Sequence, residues 1–105
     1  MVFASDWPVA PLDPLLGIKT AITRTPAFDG APDERQSLSN SIAGFTADGA
    51  FAEFTEGQKG VLKPGAMADL VILSGDIEHA APERIDQLRV QATICGGRIS
   101  YERPA

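Results

Sequence analysis

Apolar positions follow a helical period in the first half of this chain and a strand-like pattern in the second, with the change near residue 58. Val2-Phe3-Ala4 is a short apolar run that stops at Ser5-Asp6. Pro8, Pro11 and Pro14 then exclude regular pairing or an early helix, so the pattern predicts a buried strand followed by a loop. Asp13-Pro14 offers a capping side chain and a proline suited to a first helical position, and Leu15, Ile18 and Ile22 continue at helical spacing, predicting a helix over about 14–24. Thr25 to Arg35, with Pro26, Gly30 and Pro32, reads as a connector. Leu38, Ile42, Phe45, Gly49 and Ala52 then step by three and four behind Ser37, predicting a second helix with one apolar face. Gly44 and Gly49 weaken it, so a break is expected near Thr46–Gly49.

Beyond Glu56-Gly57-Gln58-Lys59-Gly60 the elements become short and β-like. A turn is predicted at Lys63-Pro64-Gly65, and the unbroken run Leu70-Val71-Ile72-Leu73 predicts a strand buried on both faces. Pro82 to Leu88 suits one short helix. From Val90 to Glu102, two runs of β-forming residues flank Gly96-Gly97, the signature of a hairpin with a two-residue turn. Setting Cys95 opposite Arg98 places Ile94 opposite Ile99, Thr93 opposite Ser100, Ala92 opposite Tyr101 and Gln91 opposite Glu102, which gives one apolar and one polar face.

At 105 residues the chain is one domain or part of one, and two complete domains do not fit. Its 44% hydrophobic and 22% charged residues are ordinary for a globular protein, and no apolar run approaches the ~20 residues that span a bilayer, so no membrane partner is expected. The net charge of −5 repels a phosphate backbone, which argues against nucleic acid. One cysteine excludes an internal disulfide, and one histidine excludes a metal cage of several imidazoles. The first residues carry neither a basic region nor a long apolar stretch of the signal-peptide kind, so the cytoplasm is the expected location.

Few residues are candidates for chemistry. Asp6 lies just past the predicted first strand, in Ser5-Asp6-Trp7-Pro8, where an aromatic ring and a proline would hold the loop and shield a carboxylate. On spacing alone, closing a turn through its side chain is the stronger reading of Asp6. His79, between Glu78 and Ala80, reads as a solvated surface residue and has no triad motif around it. Cys95, beside the hairpin turn, reads as a packing residue rather than a nucleophile. Lys59-Gly60 to Gly65 lacks the ending of a phosphate loop, and Asp29, Asp33 and Glu34 lack calcium-loop spacing.

Three blocks resemble the metal-dependent amidohydrolases, and among them amidohydrolase family 3. Phe3-Ala4-Ser5-Asp6-Trp7-Pro8-Val9 with Leu12-Asp13-Pro14-Leu15 is similar to the end of the eighth barrel strand and the start of the helix after it. Leu38 through Ala50, with Thr46 and Gly49-Ala50, is similar to the helix before the terminal β region. Gly60-x-Leu62-x-x-Gly65-x-x-Ala68-Asp69-Leu70-Val71, with Thr93-Ile94-Cys95-Gly96-Gly97-Arg98, is similar to the C-terminal composite β-sandwich of the superfamily.

The resemblance implies an α/β chain, mixed α+β when isolated. Residues 1–57 would be the last strand–helix unit of a (β/α)8 barrel, and residues 58–105 a segment of the composite β-sandwich. It implies that Asp6 matches the aspartate at the end of strand eight, which in the family serves the metal centre and acts as base and acid for attack of water on a C–N bond. That reverses the spacing-only reading. The implied cofactor is a divalent metal, zinc, in a longer parent that acts on a small-molecule substrate; none is expected in this chain, because the family's His-x-His pair and later histidines belong upstream. With Met1 where the eighth strand should already be running, the expectation is a C-terminal fragment, inactive alone, whose uncovered faces drive homo-oligomerisation. A competing reading is a non-catalytic assembly or binding module that docks onto itself or another chain.

Overall fold

Asp13 accepts a hydrogen bond from the Leu15 amide at 2.9 Å, and with Pro14 in the first helical position the cap starts α1 (Pro14–Thr23). A computed structural model describes residues 1–105. Ser37 caps α2 (Leu38–Phe45) through the Asn40 amide, 3.0 Å away. The predicted break falls at Thr46, beyond which α3 (Ala47–Ala52) continues. Between these helices the connector runs as an irregular loop, and Pro82–Gln87 forms a single short 3-10 helix.

The core is small and joins segments far apart in sequence. Leu15 and Ile18 of α1 close on Ile85 of the 3-10 helix, with Ile22, Leu38, Ile42, Phe45, Leu73, Ile77 and Leu88 packed around them. Ile85 is 1% exposed. Lys19 of α1 reaches Asp86 at 3.0 Å across the same contact; both side chains are partly solvated, so the pair contributes about 1 kcal/mol or less. Helices α1 and α2 approach closely where two glycines leave room for rings. A Cβ on Gly17 would stand 2.7 Å from the Phe45 ring, and one on Gly44 would stand 2.5 Å from the Phe3 ring. The Phe3 and Phe45 rings are themselves tilted against each other at 5.4 Å.

That packing corrects the first predicted strand. Val2-Phe3-Ala4 forms no strand, and Val2 is exposed. With no neighbouring strand to supply a ladder, the Phe3 amide instead donates to the Gly44 carbonyl at 2.9 Å, and its ring covers the end of α2.

A three-stranded antiparallel sheet follows, in the order β1 (Leu70–Leu73), β2 (Val90–Cys95) and β3 (Arg98–Glu102). The expected burial of β1 on both faces is not observed. Val71 and Ile72 project to opposite faces and are each about half exposed, so neither face of β1 is fully covered. The hairpin turn forms at Gly96-Gly97, both with positive φ (57° and 78°), as a two-residue turn of the primed type requires. Cys95 opposite Arg98 and Ile94 opposite Ile99 hold as predicted. Beyond them the register slips: Thr93 faces Tyr101 and Ala92 faces Glu102, so the expected pairings of Thr93 with Ser100, Ala92 with Tyr101 and Gln91 with Glu102 are wrong. Ser100 is the extra residue of a bulge, and its hydroxyl donates to the Thr93 carbonyl at 3.2 Å. Cys95, expected to pack, is exposed.

The radius of gyration is 15.0 Å, against about 13 Å for a compact domain of this length. No helix is long and apolar enough to cross a membrane.

Candidate functional site

Asp6 stands on the loop that leads into α1. Its carbonyl accepts from the Val9 amide at 2.8 Å, and this main-chain bond closes the turn. Elsewhere in the chain aspartates make turns and caps with their side chains: Asp13 to Leu15, Asp33 to Arg35 and Asp76 to Glu78. Asp6 departs from that habit, and its side chain is exposed. Its φ of 51° lies in the left-handed region, which only a few per cent of non-glycine residues adopt. Backbone held in that region by its surroundings is enriched at functional sites. The Trp7–Pro8 bond is cis. Trp7 and Val9, 65% and 82% exposed, are the large apolar residues of the same loop.

A cavity of about 470 Å³ opens next to this loop, lined by Phe3, Ser5, Pro11, Asp13, Gly17 and Phe45 among others. The larger groove, about 820 Å³, lies between α2–α3 and β1 and is lined by Ile42, Phe45, Val61, Leu62, Leu70 and Val71. Glu53 and Lys59, paired at 2.6 Å, stand at its margin. Each holds the other charged: the hydrogen bond from Lys59 lowers the Glu53 pKa, and the same bond raises that of Lys59.

The remaining candidates stay apart from Asp6. His79 is exposed, and its Nδ1 lies 2.7 Å from Asp76 Oδ2; that hydrogen bond raises the imidazole pKa and lowers the carboxyl pKa. Asp33 is held at about 2 by its hydrogen bonds with Arg35. Asp29 and Glu34 are exposed on the same connector. No three residues of the His, Cys, Asp and Glu types gather closely enough to hold a metal ion. The donors of this chain therefore do not gather into a metal site by themselves, and the only histidine is engaged with Asp76.

Asp69 has a role that the sequence reading did not find. Its Oδ1 accepts from the Gly96 amide at 2.7 Å, and the Ala68 carbonyl accepts from the Gly97 amide at 3.0 Å. Ala68-Asp69 thus latches the hairpin turn from the start of β1, which gives the Ala-Asp-Leu-Val block a structural purpose. An aspartate just before an apolar run, with a Gly-Gly turn farther on, was the available signal. Nothing in one dimension says that the two meet.

The model of the amidohydrolase family matches residues 1–101. The protein LONG AFTER FAR-RED 3 of Arabidopsis thaliana is 38% identical over 104 residues, covering 96% of this chain and 18% of the relative. A Bacillus subtilis (strain 168) protein described as "Putative amidohydrolase YtcJ" is 32% identical over 104 residues, covering 94% of this chain and 20% of the relative. The chain thus spans about a fifth of the length of these curated relatives. No solved structure matches it. With the family pattern running through nearly all of its residues, from the Asp6 loop to the latched hairpin, the chain belongs to the amidohydrolase family.

Proposed function

We propose that the chain is the C-terminal portion of a metal-dependent amidohydrolase that hydrolyses non-peptide C–N bonds of a small molecule. In this reading residues 1–57 are the closing strand–helix unit of a (β/α)8 barrel, and residues 58–105 belong to a composite β-sandwich. The reading is supported by the family match and by relatives about five times as long. One observation carries the site: Asp6 sits at a left-handed φ with its turn closed by the main chain, so its carboxylate is free for chemistry.

Asp6 acts as the proton carrier. It takes a proton from the attacking water and returns it to the leaving nitrogen, the two-way role that suits a carboxylate at a reacting centre. The donors of a divalent ion, with the substrate pocket, come from residues outside these 105, and the chain alone is inactive.

The test is complementation. The Bacillus subtilis relative is produced without its matching segment, mixed with this chain, and assayed on a panel of amides and cyclic amides with divalent metal present. Hydrolysis by the mixture, with neither part active alone, is expected. A chain that assembles with the larger part and restores nothing would refute the reading.

A further inference from the structure

A non-glycine residue persists at a left-handed φ only where the structure around it imposes that conformation, so something must hold Asp6 at 51°. Asp6, Trp7, Pro8 and Val9 are all exposed, and the bond from the Val9 amide to the Asp6 carbonyl closes the turn but does not fix it on the fold. The path of the loop is set where it enters and where it leaves.

Both ends meet one side chain. On the entering side the Phe3 ring tilts against the Phe45 ring, centroids 5.4 Å apart, and the Phe3 amide donates to the Gly44 carbonyl at 2.9 Å. On the leaving side α1 begins at Pro14, and the Phe45 ring lies over Gly17, one helical turn farther on. Two missing side chains make this possible: a Cβ on Gly17 would stand 2.7 Å from the Phe45 ring, and one on Gly44 would stand 2.5 Å from the Phe3 ring. Phe45 is itself anchored, because it closes α2 and packs against the Leu15, Ile18 and Ile85 core. The cavity of about 470 Å³ has Phe3, Ser5, Pro11, Gly17 and Phe45 on its wall, which leaves the loop room to shift if the anchors let go.

We infer that Phe45 is a positioning residue for Asp6: one ring clamps both ends of residues 4–13 and thereby sets where the carboxylate stands. All of these contacts lie inside the chain and need no surface that a longer polypeptide would cover. The clamp stands on them alone, while its bearing on catalysis rests on the role proposed for Asp6.

Two measurements test it. The first is the backbone order of Asp6 and Trp7 in the 105-residue chain, from amide nitrogen relaxation. Order parameters of about 0.85 are expected in the wild type and below about 0.6 in Phe45→Ala. Gly17→Ala favours α1 but drives a Cβ into the ring, so it is expected to loosen the loop in the same way, and it decides the matter where Phe45→Ala fails to fold. Leu38→Ala, in the same core at the other end of α2, is expected to leave the loop ordered. The second is kinetic, in the assembly with the shortened Bacillus relative. Phe45→Ala is expected to lower kcat by roughly tenfold or more with KM within about twofold, as a misplaced catalytic group does. In an Asp6→Asn background the same substitution is expected to cost less than about twofold, because the group it positions is already gone. A loop that stays ordered in both Phe45→Ala and Gly17→Ala, or that loosens as much in Leu38→Ala, would overturn the clamp. A kcat loss of full size in the Asp6→Asn background would overturn the positioning role. Unchanged kcat in Asp6→Asn alone would instead defeat the role proposed for Asp6, and the order parameters would still decide the clamp.

Discussion

Replacing Ile85 with alanine tests the claim that α1 and the 3-10 helix, far apart in sequence, share one core. Ile85 is 1% exposed and lies against Leu15 and Ile18. The substitution removes three carbons, and at ~0.8 kcal/mol each their transfer to water costs roughly 2.4 kcal/mol. A rigid cavity of ~80 Å³ at 24 cal/mol per Å³ would add roughly 1.9 kcal/mol. The surrounding Ile22, Leu73, Ile77 and Leu88 are only partly buried and can move inward, so most of the cavity term relaxes. The expected loss is about 2.5–3 kcal/mol. In urea, with a slope of ~1.5 kcal/mol per molar, the unfolding midpoint followed by far-UV circular dichroism falls by about 1.8 M. The same change at Ile99, 65% exposed, is expected to stay within about 0.5 kcal/mol. All samples are compared at one protein concentration, so that association contributes equally. A midpoint shift for Ile85→Ala no larger than that for Ile99→Ala would refute the shared core, as would a wild-type chain with no cooperative transition.

Asp69→Ala frees the Gly96 amide and lowers stability by about 1 kcal/mol, because the bond is charge-assisted but exposed; faster hydrogen exchange at Gly96 checks it. Asp6→Asn in the isolated chain changes the urea midpoint by less than about 0.3 M, since its carbonyl closes the turn and asparagine tolerates positive φ; a large loss would return Asp6 to a structural role. His79 titrates above 6.5 in an NMR pH series, and Asp76→Asn brings it back toward that value. With the imidazole pKa raised on folding, the stabilisation from this pair is complete below about 6.5 and is lost as the pH rises through the folded midpoint.

Local chemistry was legible in the sequence, and pairing was not. The Asp13-Pro14 start, the Ser37 cap, the break at Thr46 and the Gly96-Gly97 turn are each decided within a few residues, and each stands where the pattern puts it. Strand burial depends on neighbours. An apolar run such as Val2–Ala4 or Leu70–Leu73 states a preference for cover, but whether cover exists depends on which other strands are present. The hairpin register failed for a related reason: strict alternation assumes an unbroken pleat, and a bulge at Ser100 shifts every later pair by one residue. At the site, residue type and family pattern pointed to Asp6. Only the structure separates its main-chain turn from the side-chain turns of Asp13, Asp33 and Asp76.

The proposal is that this chain brings one carboxylate, Asp6, to the chemistry of a larger amidohydrolase. Its most direct test is kcat in the complemented assembly of this chain with the shortened Bacillus relative, measured for wild type and Asp6→Asn at matched assembly. The asparagine variant is expected to assemble equally well and to lose at least 100-fold in kcat, the lower end of what positioned proton transfer supplies. An Asp6→Asn assembly with kcat within threefold of wild type would contradict it.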